Sequence, residues 1–155
     1  MSDAVFSALF DELAVGAEFA TAPHAVTAAD VHAFAETTGD HHPQHVDAAW
    51  AAGSRFGGPI AHGMLVLSLA VGRLPLDPER VVALRRVGDA VFKRPVHVGT
   101  TITVRGRVAE LHPLDDEVGR VVVALAVHDE HDRVACRARA EVLWRRVPAF
   151  VPIPL

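Results

Sequence analysis

The residues best suited to chemistry stand close together, in the run Gly39-Asp40-His41-His42-Pro43-Gln44-His45-Val46-Asp47. Asp40 and His45 form a candidate acid–base pair, a carboxylate and an imidazole with Pro43 between them. A carboxylate near an imidazole orients the ring and can tune it for proton transfer near neutral pH. Proline fixes φ, which stiffens the turn and can hold both side chains toward one point. The run follows a helix end and reads as a loop, where functional side chains are commonly presented. On residue types alone it reads equally well as a solvated turn. His41, His42, His45 and His62 are four of the ten histidines, and a metal site is the other chemistry they suggest. No helical i,i+4 His pair or second carboxylate cluster accompanies them, so no metal is expected.

The elements around this run read from cap and period signals. Thr27 with Asp30 three residues on resembles a helix start. Val31, Phe34 and Ala35 then share a face, and Gly39 supplies a stop. A short helix is expected from Asp47 through Ala52, and Gly57-Gly58-Pro59 is a loop. The stretch from Ile60 to Val71 is apolar almost all round, which predicts a helix buried on every side, closed by Pro75 and Pro78. Beyond it the period switches to two. Val81 to Phe92 is one strand region, Ile102 to Val108 a second, and Val121 to Val127 a third. In the fourth, Val134, Cys136, Ala138, Ala140, Val142 and Trp144 alternate with Arg137, Arg139, Glu141 and Arg145. Asp115-Asp116-Glu117 and Asp129-Glu130-His131-Asp132 separate strands. A long buried helix followed by an antiparallel meander predicts an α+β domain whose sheet wraps that helix.

Gly39-Asp40-x-x-Pro43-x-His45-x-Asp47, followed by Phe56-Gly57-x-Pro59-Ile60-Ala61-His62-Gly63-Met64-Leu65, resembles the MaoC-like dehydratase family, which includes the (R)-specific enoyl-CoA hydratases. The likeness extends upstream to Phe34 and Thr38 and downstream to Phe92-Lys93-Arg94-Pro95-Val96-x-Val98-Gly99. It implies a single hot-dog domain over residues 1–155, usually dimeric, with the acyl chain entering between subunits. It implies that Asp40 and His45 are the catalytic pair and that the Gly63 amide faces the thioester carbonyl. The reaction would hydrate a 2-enoyl thioester of CoA or an acyl-carrier protein, or dehydrate the 3-hydroxyacyl form, with no cofactor.

The chemistry is consistent with that assignment. Water must attack C3 while C2 gains a proton, and negative charge moves onto the thioester oxygen. An N–H in the first turn of a buried helix suits that charge, because early amides lack intrahelical partners and the dipole is positive there. His42, His62 and Ser68 are candidates for substrate binding or support. The plainer readings are a packed helix-entry residue for His62, a hydroxyl bonded one turn back for Ser68, and a close-packing residue for Gly63. His42 departs from the relatives, which commonly carry Asn there, and imidazole can titrate where an amide cannot. That departure keeps open a catalytically weakened subunit that binds an acyl ligand, beside a hot-dog thioesterase. Arg55, Lys93 and Arg94 are either phosphate anchors or a solvated face.

The bulk numbers agree with a folded globular protein. The chain has 155 residues, 50% hydrophobic and 22% charged, with a formal net charge of −4. One domain with a sizeable core is expected, and nucleic acid or an anionic membrane is a poor partner. The single cysteine, Cys136, falls in an alternating apolar run and reads as a buried thiol in a reducing compartment. Met1-Ser2-Asp3-Ala4 lacks the basic start of a secretory signal, so a cytoplasmic location is expected.

Overall fold

The computed structural model describes residues 6–149. The start, Met1 to Ala4, and the extreme ends of the expected 1–155 domain lie outside the described residues. Among the described residues no helix is long and apolar enough to cross a membrane.

Local signals set the first helix. α1 spans Ala28–Thr38 and opens on a reciprocal cap. The Asp30 amide donates to Thr27 Oγ1 at 3.1 Å and the Thr27 amide donates to Asp30 Oδ2 at 2.9 Å. The helix stops where Gly39 turns left-handed at φ 81°, its amide donating to Ala35 O. Val31 and Ala35 are buried and Phe34 is half-buried, as the periodicity predicts.

Two short helices follow, α2 at Pro43–Val46 and α3 at Ala48–Ala52, the latter capped by Asp47. The run expected to be a loop therefore contains a helical turn. Pro43 starts it, because its missing N–H is one that a first helical residue does not need. The long apolar segment is helical from Gly63–Gly72, as α4. Its first residues are extended instead: Ile60 bridges His97, and the Ala61 amide donates to Val96 O at 2.7 Å. Leu65, Val66, Leu67 and Ala70 are buried, but Met64 is 57% exposed and Ser68 and Gly72 are also exposed. These three share one stripe at i, i+4 and i+8, so α4 is covered on three sides and not on every side.

The strands form a six-stranded antiparallel sheet. They are β1 (Glu18–Ala20), β2 (His24–Ala25), β3 (Val81–Phe92), β4 (Thr101–Pro113), β5 (Val118–His128) and β6 (Val134–Arg145). β1 and β2 carry too few residues to show a period and were not expected. The order is β1-β4-β5-β6-β3, with β2 also on β4. Only β4, β5 and β6 make the expected meander; β3 crosses to pair with β6 and becomes an edge. Cys136, Ala138, Ala140, Val142 and Trp144 line the buried face of β6, and Val121, Val123, Leu125 and Val127 that of β5. α4 packs on these two strands. Leu65, Val66 and Leu67 each gain about 1.5–3 kcal/mol from such burial, which fixes the helix that begins at Gly63.

Candidate active site

The loop after α1 is braced from both sides. The Asp40 amide donates to Thr38 Oγ1, and Asp40 Oδ1 accepts from the His42 amide, each at 3.3 Å. His42 Nδ1 accepts from the Gln44 amide at 3.1 Å, making His42 the cap of α2. The His42 ring also stands edge-on to Trp50, centroids 5.6 Å apart. Gln44, buried at 7% exposure, donates its side-chain amide to Gly58 O and accepts the Ile60 amide on its own carbonyl. These bonds dock α2 against the extended segment that leads into α4.

That docking sets the chemistry of His45. Its Nδ1 lies 2.7 Å from Ile60 O. A carbonyl only accepts, so Nδ1 carries the hydrogen and Nε2 keeps its lone pair. His62, 3% exposed, stacks on the His45 ring with centroids 3.9 Å apart and planes 27° apart. Its Nε2 is 2.9 Å from the backbone oxygen of Asp40 and 4.0 Å from Asp40 Oδ2. The Phe34 ring also tilts against His62, centroids 4.9 Å apart. Asp40, His45 and His62 each offer a donor atom within 4.8 Å of one another, while the Asp40 side chain stays 53% exposed. The structure therefore brings the two predicted catalytic residues together and adds His62 to them.

A metal would use this trio and not the four histidines considered from sequence, because His41 lies near Glu36 and His42 caps α2. His45 Nδ1 and His62 Nε2 are each already directed at a carbonyl oxygen. His62 Nδ1 is buried with no hydrogen-bond partner. Leaving such an atom unpaired costs about 1–3 kcal/mol.

Gly63 opens α4 with no side-chain cap before it, and among the described residues no acceptor reaches its amide. A Cβ on Gly63 would stand 3.1 Å from three carbons of the Phe92 ring. The glycine thus makes room for Phe92, which is itself 49% exposed. Gly63, Ala61, Val66 and Phe92 line a hollow of about 480 Å³ together with Arg55, Lys93 and Arg94. Ser68 is placed apart from this trio, about 9 Å along the axis from His62. It lines a second hollow with Leu65, Leu69, Gly72 and Arg73. A larger hollow of about 1120 Å³ runs over Ala124 and Ala126 between Arg105, Arg107, Arg137 and Arg139. None of Asp40, His45, His62 or Gly63 reaches it.

Gln44, Ile60 and Phe92 were not expected to matter. A polar side chain between two candidate catalytic residues was the available signal for Gln44. Nothing in sequence marks the carbonyl of Ile60.

Residues 11–130 match the family model described as MaoC like domain. The chain is 36% identical over 109 residues to a 3-hydroxybutyryl-CoA dehydratase of Methylorubrum extorquens, covering 68% of this chain and 66% of that protein. It is 39% identical over 84 residues to an (R)-specific enoyl-CoA hydratase of Aeromonas caviae, covering 54% and 63%. The matches thus span just under two thirds of these two relatives. Among solved structures, it is similar to a monoamine oxidase regulatory protein from Archaeoglobus fulgius, with TM-score 0.85, 33% identity and coverage of 91% and 96%. It is also similar to the R-hydratase PhaJ1 of Pseudomonas aeruginosa, with TM-score 0.75, 28% identity and coverage of 95% and 96%. A Mycobacterium tuberculosis protein described as having a double hot-dog fold matches at TM-score 0.79 and 24% identity, over 94% of this chain and 46% of that one, which shows the fold as hot-dog. With its motif, its architecture and a family match over residues 11–130 in agreement, the chain belongs to the MaoC-like domain family.

Proposed function

We propose that this protein is a hydratase of 2-enoyl thioesters, and in reverse a dehydratase of 3-hydroxyacyl thioesters. The observation that carries the reading is the state of His45. Its Nδ1–H is directed at Ile60 O, which leaves Nε2 with its lone pair, and a ring nitrogen of His45 lies within 4.8 Å of an Asp40 carboxylate oxygen. Nε2 can take a proton from water as that water attacks C3, and Asp40 can relay this same proton from His45 to C2. One water then supplies both the hydroxyl and the hydrogen, and the pair ends as it began. The open Gly63 amide at the start of α4 would stabilise the enolate oxygen. The names of the two curated relatives point to the same chemistry.

Two further features fit a thioester of this kind. Arg55 and the adjacent pair Lys93-Arg94 come from two segments to the hollow that holds Gly63, and no carboxylate lines it, although the chain carries a net −4. That local excess of positive charge suits the phosphates of CoA or of a carrier protein's phosphopantetheine. The edge strand β3 exposes Val82, Leu84, Val87, Val91 and Phe92. An apolar edge with unpaired backbone groups suits a second copy, giving a homodimer joined along β3. The buried thiol of Cys136 fits a reducing compartment such as the cytoplasm.

The test is loss of the enoyl-thioester absorbance band with purified protein. Asp40→Asn and His45→Gln should each reduce turnover by on the order of a hundredfold, about 3 kcal/mol. The double variant should fall scarcely below the worse single one, since both serve the same water and proton. Near wild-type turnover in either folded single variant places the chemistry elsewhere.

A further inference from the structure

We infer that His62 is a positioning residue that holds both members of the acid–base pair, Asp40 through a hydrogen bond and His45 through a stack. The inference rests on the reading of Asp40 and His45 given above.

Packing alone does not account for an imidazole at this place. The ring is 3% exposed and packs against two other rings, Phe34 and His45. A phenyl ring would fill the same slot without an unpaired nitrogen, yet His62 Nδ1 is buried and unpartnered. The polar atom that is used is Nε2, which faces the Asp40 backbone oxygen at 2.9 Å and Asp40 Oδ2 at 4.0 Å. Both neighbours are acceptors, so Nε2 carries the hydrogen and donates to the Asp40 carbonyl.

Its position in the chain suits that task. His62 is the residue that leads into α4, and α4 is anchored by the burial of Leu65, Val66 and Leu67. The donor therefore stands on the rigid part of the fold and the acceptor on a loop whose carboxylate is 53% exposed. The same ring backs the face of His45 at 3.9 Å, and His45 is fixed at its edge by Ile60 O. One side chain thus sets the separation of the two groups, which are joined otherwise by the turn at Pro43. Small errors in such placement reduce turnover more than they reduce binding.

Two variants separate the roles. His62→Phe keeps a ring in the stack and removes the donor. His62→Gln sets an amide N–H near the place of Nε2 and removes the ring. The expected result is that His62→Phe loses tenfold or more in kcat with KM within about threefold and no loss of melting temperature, while His62→Gln recovers part of that kcat. A residue that only packs gives the opposite pattern, with His62→Phe active and His62→Gln unstable and not rescued; that pattern overturns the inference. Nitrogen-15 NMR of the wild-type imidazoles provides an arm that depends on neither turnover nor folding of variants. A neutral His62 protonated on Nε2 supports the clamp, and one protonated on Nδ1 overturns it. Failure of the wild-type protein to hydrate any enoyl thioester would sink the proposed function and leave the NMR result to decide the clamp.

Discussion

Changing His42 tests how the candidate catalytic helix is held in place. The imidazole stands where the family resemblance leads one to expect Asn, and its Nδ1 accepts the Gln44 amide at 3.1 Å, as an Asn carbonyl would at a helix cap. His42→Asn keeps an acceptor in that place; His42→Ala removes it. Loss of an N-cap costs about 1 kcal/mol, and α2 is a single turn, Pro43–Val46, with few other bonds of its own. If that energy falls on the placement of His45, it corresponds to a loss of about fivefold in kcat/KM, since about 1.4 kcal/mol is tenfold. His42→Asn should therefore stay within about twofold of the wild type or exceed it. His42→Ala should drop about fivefold in the enoyl-thioester absorbance assay and lose about 1 kcal/mol in urea unfolding. Wild-type turnover in His42→Ala would refute the capping argument. An equal loss in both folded variants would mean that the imidazole itself contacts substrate.

Three other expectations follow from the same geometry. Removing positive charge with Arg55→Ala or Lys93→Ala should raise KM for an enoyl-CoA about tenfold, as loss of a charge-assisted contact does, and leave KM for an enoyl-N-acetylcysteamine thioester unchanged; equal effects on both substrates would count against a phosphate site. Light scattering should give twice the 16.6 kDa chain mass, and Leu84→Lys with Val87→Lys on the β3 edge should shift it to monomer; a wild-type monomer that turns over substrate would overturn the pairing. Burial pushes the Cys136 thiol above its usual value of 9.0, so the fold favours the protonated form; its contribution is fully present below about pH 9 and is lost as pH rises beyond it. Urea unfolding of wild type and Cys136→Ala should show a stability difference that narrows only above that pH, and narrowing already at pH 7 would contradict the sign.

What the sequence by itself determined was what depends on near neighbours. Thr27 and Asp30 capped α1, Gly39 ended it, and the period-two runs became β3 to β6, because caps, turns and pleats are set over a few residues. The Asp40 and His45 motif was legible for the same reason, as both lie on one short turn. Tertiary structure decided the rest. The pairing of β3 with β6 depends on which edge is left after β4, β5 and β6 join, and no local period reports that. The exposed stripe of Met64, Ser68 and Gly72 was hidden because those residues are as apolar or small as the buried ones beside them, and only the sheet says which side is covered. The state of His45 depends on a carbonyl at Ile60, and the hold on Asp40 on a ring at His62. A backbone oxygen has the same identity in every residue, so its use as a hydrogen-bond partner becomes visible only when folding brings the two segments together.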